Sequence, residues 1–271
     1  MERTTKKYFL KNGEIKEEMD FYIPEEGKKL YEVIRIINGV PLFMEQHNKR
    51  LQGSLSILDL KSRYSEDIIL NKIKKVIEAN EFSEGNIKII LNFIGQQEDI
   101  YIYYIPHSYP EEKLYSEGVH TILFHEERQN PNAKVINSGL RERVDEKLKE
   151  EKAYEAILVD GHNRITEGSK SNIFFVKGDK LITSPLEAVL PGITREQIIE
   201  LAKGNSIEVV EEFIDINTLK IYDGAFISGT SPKILPIKSI NLIKFNSVCN
   251  LLVKKLMKLY DNSIEKYITE H

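Results

Sequence analysis

At 271 residues the chain is long enough for one large core or two moderate ones, and two domains are the expected division. Its 38 Lys and Arg stand against 42 Asp and Glu for a net charge of -4 with no basic block, which argues against a nucleic-acid partner. The single cysteine, Cys249, excludes an internal disulfide and a thiolate metal site; with no signal-peptide core in residues 1–7 and no membrane-length apolar run, a cytoplasmic protein with no membrane partner is expected.

Asn12-Gly13 and Asn38-Gly39 each separate apolar or β-branched stretches. Type I′ hairpins demand such pairs because both central residues take positive φ, so the chain is predicted to open with two hairpins. Met44, Leu51, Leu55 and Leu58 recur at helical spacing over residues 44–60, and Ser65 offers an N-cap for a second helix reaching Ala79. The β-rich runs 87–94 and 100–105 follow, and Pro106 ends the second. Pro110, Glu111, Glu112 and Lys113 break the pattern, which places a domain boundary between an N-terminal α+β domain at residues 1–113 and a C-terminal domain at 119–271. In the second domain strands are expected at 121–124, 156–160, 173–176 and 225–228, and helices at 140–152, 194–203 and 246–266. The fold class is therefore α+β throughout.

Three segments of the second half combine a lysine, a carboxylate and anion-binding backbone. Lys134 stands in Asn132-Ala133-Lys134-Val135, flanked by small and apolar residues rather than by other charges. A desolvated lysine is a usable amine nucleophile toward an aldehyde, although a solvated lysine beside a helix start is the plainer reading. Glu167 sits among Gly168, Ser169, Ser171 and Asn172 just before an apolar strand, either as a surface acid or as a carboxylate within a polar ligand site. Leu190-Pro191-Gly192-Ile193-Thr194-Arg195 precedes an amphipathic helix with Thr194 or a neighbour as N-cap, and a helix start behind a glycine offers N–H groups and a positive dipole end to a phosphate. Gly229-Thr230-Ser231 is a hydroxyl-rich turn after a strand, and Arg50 in His47-Asn48-Lys49-Arg50 carries a fork suited to phosphate.

In order and spacing these segments together resemble the class IV (fold type IV) aminotransferases, the family of D-amino-acid and branched-chain aminotransferases and of aminodeoxychorismate lyase. The landmarks run from about residue 31 to 236: Tyr31-Glu32-Val33-Ile34-Arg35, Gly39, His47 to Leu51, Lys134 with Asn137, Glu167-Gly168-Ser169 with Ser171-Asn172, Leu190 to Arg195, and Gly229-Thr230-Ser231.

The resemblance implies a two-domain fold with pyridoxal 5′-phosphate on a Lys134 Schiff base. Glu167 would keep the pyridine nitrogen protonated, and Tyr31 would face the cofactor. Arg50, Ile193, Thr194 and Thr230 would bind its phosphate. Period-two geometry then turns Val33 and Arg35 the same way as Tyr31, which makes Arg35 the candidate for the substrate carboxylate. His47 either backs Glu167 or packs within its helix. The expected reaction is ping-pong transamination between a small amino acid and a 2-keto acid by a homodimer, with aminodeoxychorismate lyase chemistry as the alternative. Departures from the family pattern bear on the substrate side. Ile94-Gly95-Gln96-Gln97 stands where D-amino-acid aminotransferases carry Arg-Gly and a nearby histidine, Glu25-Glu26-Gly27-Lys28-Lys29 replaces a Phe-Gly-Asp-Gly stretch, and Val33 occupies the position of a lyase threonine.

Overall fold

The computed structural model describes every residue except Met1, Ser108, Gln129, Asn130, Ile136 and Asn137; Asn137, one of the landmarks above, thus lies outside the described residues. The chain divides into two compact units. The first comprises residues 1–108, 133–136 and 264–271, and the second residues 109–132 and 137–263. Lys134 therefore groups with the first unit, whereas a boundary drawn at 113–119 assigns it to the second.

In the first unit β1 (Tyr8–Lys11), β2 (Glu14–Glu17), β3 (Lys28–Ile37) and β4 (Val40–Pro41) form two hairpins, then α1 (Met44–Ile57) and α2 (Glu66–Asn80) precede β5 (Gly85–Ile94) and β6 (Gln97–Ile105). Asn12 (φ 53°) with Gly13 (φ 99°) and Asn38 (φ 52°) with Gly39 (φ 79°) take the left-handed pairs that type I′ turns require. Ser65 caps α2 by accepting from Ile68 N. Among the described residues the sheet order is β2-β1-β6-β5-β3-β4. Leu30, Ile34, Ile87, Ile89, Leu91 and Ile102 turn to one face and pack with Leu51, Leu55, Ile69 and Ile73 of the helices. Each such burial contributes about 1.5–3 kcal/mol. Alternation sends Tyr31, Val33, Arg35 and Lys88 to the opposite face.

The second unit contains α3 (Glu112–Glu117), β7 (Val119–His125), α4 (Ser138–Glu151), β8 (Glu155–Val159), β9 (Arg164–Gly168), β10 (Asn172–Lys177), β11 (Lys180–Thr183), α5 (Ile193–Gly204), β12 (Val209–Glu211), β13 (Ile214–Asp215), β14 (Gly224–Gly229), β15 (Lys233–Ile240) and β16 (Ile243–Lys244). The last helix, α6 (Leu251–Glu270), runs through the residues at which the two groupings divide. The strands form a ten-stranded sheet, β12-β11-β10-β14-β15-β7-β8-β9-β13, with β16 beside β15. Strands β7 and β8 are parallel and α4 covers them, burying Leu140, Val144 and Leu148 against Ile122 and Ala156. Strands β10 and β14 are apolar on both faces, as strands buried on both sides must be; Phe174 and Phe226 stack with centroids 5.0 Å apart. Among the described residues no helix is long and apolar enough to cross a membrane.

Two local expectations change. Glu167, expected just before an apolar strand, lies near the end of a strand of its own, β9, and β10 starts only at Asn172. The last helix starts at Leu251, not 246, since the Asn250 side chain accepts from Leu252 N and Val253 N. Strand β15, outside the expected strands, tolerates Pro236 opposite Phe226 of β14 because the pairing with β7 begins only at Ile237.

Candidate active site

In the first unit the Lys134 segment is pinned by backbone pairing. Tyr31 N donates to Lys134 O at 3.2 Å, Leu30 bridges Val135, and Lys134 N donates to the buried Ser54 Oγ at 3.2 Å. The Lys134 ammonium thereby stands 4.7 Å from the Tyr31 ring centroid, a cation–π distance. Tyr31, Val33 and Arg35 share that sheet face, as their spacing on β3 requires.

Glu32, between Tyr31 and Val33, turns to the helix side and is 1% exposed. Arg50 clasps it, Nε donating to Oε1 at 2.9 Å and Nη2 to Oε2 at 2.5 Å, while His47 Nδ1 lies 2.7 Å from Oε2. Burial alone raises a carboxyl pKa, yet the Arg50 charge and the hydrogen bonds from His47 and Arg50 outweigh it and hold Glu32 at about 2. His47 is lowered: burial dominates, against the pull of Glu32. His47 thus serves Glu32, a role neither sequence reading assigned to it.

In the second unit Glu167 is 3% exposed and held at both oxygens. Arg128 Nε lies 2.7 Å from Oε1, and Oε2 accepts from Asn172 Nδ2 at 3.3 Å and from Leu190 N at 3.1 Å. Asn172 also donates to Leu190 O at 3.0 Å, tying the acid to the chain that enters α5. Glycine is required at the helix start: a Cβ at Gly192 would sit 1.9 Å from Asn172 Oδ1. Of Thr194 and its neighbours it is Gly192 that serves as the N-cap, and it has no side chain with which to cap the first turn of α5. Ile193 and Thr194 are the first helical residues, both buried, with Thr194 Oγ1 3.3 Å from Tyr260 Oη. Strand β14 pairs Ser228 with Asn172, so the two side chains share a face and Gly229 and Thr230 follow at the strand end. Ser228 Oγ is fully buried and has no hydrogen-bonding partner among the described residues. A hydroxyl in that condition costs about 1–3 kcal/mol, a cost that a bound acceptor relieves. A cavity of about 290 Å³ opens against Arg128, Glu167, Asp160, Arg164, Glu187 and Phe213.

Two residues of this constellation escaped the sequence reading. Arg128 is one charge in Glu126-Glu127-Arg128, and nothing local distinguishes it. Glu155 is 4% exposed and accepts from Ser169 Oγ at 2.6 Å, Ser171 Oγ at 3.0 Å, Lys170 N at 3.2 Å and Ala156 N at 2.8 Å, shaping the turn between Glu167 and Asn172. The run of hydroxyls at 169 and 171 was the available signal, since buried hydroxyls need an acceptor.

A model of the class IV amino-transferase family matches residues 29–240. The D-alanine aminotransferase of Bacillus licheniformis is 28% identical over 228 residues, covering 79% of this chain and 80% of that protein. A probable branched-chain-amino-acid aminotransferase of Rickettsia conorii is 31% identical over 229 residues, covering 79% of this chain and 78% of its own. The branched-chain aminotransferase of the archaeon Thermoproteus uzoniensis, solved with norvaline, superimposes with a TM-score of 0.86 at 25% identity, covering 97% of this chain and 98% of that one.

Proposed function

Because the chain belongs to the class IV aminotransferase family, whose members depend on pyridoxal 5′-phosphate, we propose that it moves an amino group between a small amino acid and a 2-keto acid in two alternating half-reactions. The observation that carries this reading is the buried, doubly held carboxylate of Glu167. A pyridinium N–H needs such an acceptor, and the bound ring then draws in the electron pair left when the substrate Cα proton departs.

The residues suit the cofactor. The N-terminus of α5 at Ile193 and Thr194, which is the positive end of the helix dipole, together with Thr230 and the buried Ser228 hydroxyl, offers donors suited to a phosphate. Arg50 is assigned to the phosphate by the family resemblance alone, and Glu32 sets its orientation. Lys134 would be the amine that holds the cofactor, and its Nζ would take up and give back the substrate Cα proton, a task for a group that is both nucleophile and base. Tyr31 backs that amine. Arg35 is assigned the substrate α-carboxylate, and Val33 lies beside it on the same strand face. The working state is taken to be a cytoplasmic homodimer.

The decisive experiment mixes the cofactor-loaded protein with amino acids one at a time and follows loss of the cofactor's aldehyde-form absorbance, then its return on adding a keto acid. Conversion both ways supports transamination. Formation of pyruvate and 4-aminobenzoate from aminodeoxychorismate without a keto acid assigns the lyase reaction instead. Lys134→Ala with turnover intact overturns the assignment of the carrier lysine.

A further inference from the structure

Helix α6 turns Val253, Leu256 and Tyr260 to one side at helical spacing, and all three are buried. Packing alone asks only for apolar bulk in such a stripe. Tyr260 adds a hydroxyl, and a buried phenol hydroxyl must find a partner. It lies 3.3 Å from Oγ1 of Thr194, the second helical residue of α5, and either hydroxyl can be the donor.

A threonine in a helix can turn its hydroxyl back onto a carbonyl of the preceding turn. Here Leu190 O, four residues before Thr194, already accepts from Asn172 Nδ2 at 3.0 Å. Tyr260 Oη supplies a partner on the other side and selects one of the staggered positions open to the Thr194 side chain. The next residue of α6 reaches the other half of the donor set. Asp261 pairs with Lys233 Nζ at 2.7 Å, just past the turn that carries Thr230. The side chains of that ion pair are 29% and 51% exposed and such pairs contribute little, so the buried Tyr260 contact is the one that counts.

We propose that Tyr260 is a positioning residue for the cofactor phosphate: by donating to Thr194 Oγ1 it fixes the threonine side chain and leaves the threonine proton for a phosphate oxygen. A hydroxyl held in place before the ligand arrives loses no rotamer freedom on binding, which is where the gain in affinity comes from. This role rests on the proposed function, in which Thr194 binds the phosphate.

The test is equilibrium dialysis of the full-length protein against pyridoxal 5′-phosphate and, separately, against pyridoxal, which has the same ring and aldehyde but no phosphate. Wild type is expected to prefer the phosphorylated form. Tyr260→Phe keeps the ring that packs, and is expected to weaken pyridoxal 5′-phosphate about tenfold while leaving pyridoxal unchanged. In a Thr194→Val background the same change is expected to cost less than about twofold, because the hydroxyl it would orient is gone. Equal loss for both ligands, no loss for either, or a tenfold loss that persists in Thr194→Val overturns the role. Each of those outcomes leaves the wild-type preference, and with it the phosphate assignment, standing. A wild type that binds the two forms alike sinks the phosphate assignment and the role of Tyr260 together.

Discussion

Arg128 Nε lies 2.7 Å from Glu167 Oε1, and the same guanidinium donates through Nη2 to Ser169 O at 2.7 Å. One side chain thus fixes both the acid on β9 and the turn that follows it. A guanidinium beside a carboxylate fixes the direction in which the carboxylate points.

Arg128→Met is therefore expected to leave the protein folded but to weaken cofactor retention about ten- to hundredfold, as loss of a buried ion pair and one charge-assisted hydrogen bond does. Equilibrium dialysis of the cofactor against variant and wild type checks this. Unchanged retention would show that Glu167 is held well enough by Asn172 and Leu190 alone.

Glu155 gathers Ser169 Oγ, Ser171 Oγ and Lys170 N at one buried carboxylate. Glu155→Ala strands these donors and is expected to cost about 3 kcal/mol in urea unfolding, with Glu155→Gln costing about half as much because its carbonyl still accepts. A cost under about 0.5 kcal/mol for the alanine variant would mean that water replaces the carboxylate.

Acid should destabilise the first unit in two steps. Glu32 is held at about 2 from an ordinary 4.5, so its contribution, on the order of 3 kcal/mol, is complete above 4.5 and is lost as pH falls toward 2. His47 is lowered from its ordinary 6.5 by burial, so the unfolded chain gains a proton first and stability already falls as pH drops below 6.5. Denaturation midpoints at a series of pH values check both, and His47→Asn should flatten the upper limb and also shrink the lower one, because the His47 hydrogen bond helps hold Glu32 low. Stability rising on acidification would contradict the direction of both shifts.

Gly192→Ala separates a close contact from backbone strain. Gly192 has φ -70°, which alanine adopts freely, yet the added Cβ meets Asn172 Oδ1 at 1.9 Å. The amide must leave Glu167 or Leu190, and cofactor affinity is expected to fall about tenfold or more, consistent with an overpacking cost of about 1–3 kcal/mol. A cofactor titration decides it: wild-type affinity would mean that the amide moves without consequence.

Interactions between near neighbours in the chain were legible in the sequence. Asn12-Gly13 and Asn38-Gly39 specify their turns because the φ preference belongs to the residues themselves, and the apolar spacing from Met44 to Leu55 specifies a helix because its period belongs to the backbone. The alternation that turns Tyr31 and Arg35 to one face and Glu32 to the other is of the same kind. Which partner each polar side chain takes was decided only by tertiary structure. Glu32 meets Arg50 across 18 positions, Glu155 meets Ser171 across 16, and Glu2 meets Lys88 across 86. Any of this chain's 38 Lys and Arg satisfies a carboxylate equally well in one dimension. Strand register and burial select one of them, because a charge removed from water must be met by whatever the fold brings within reach.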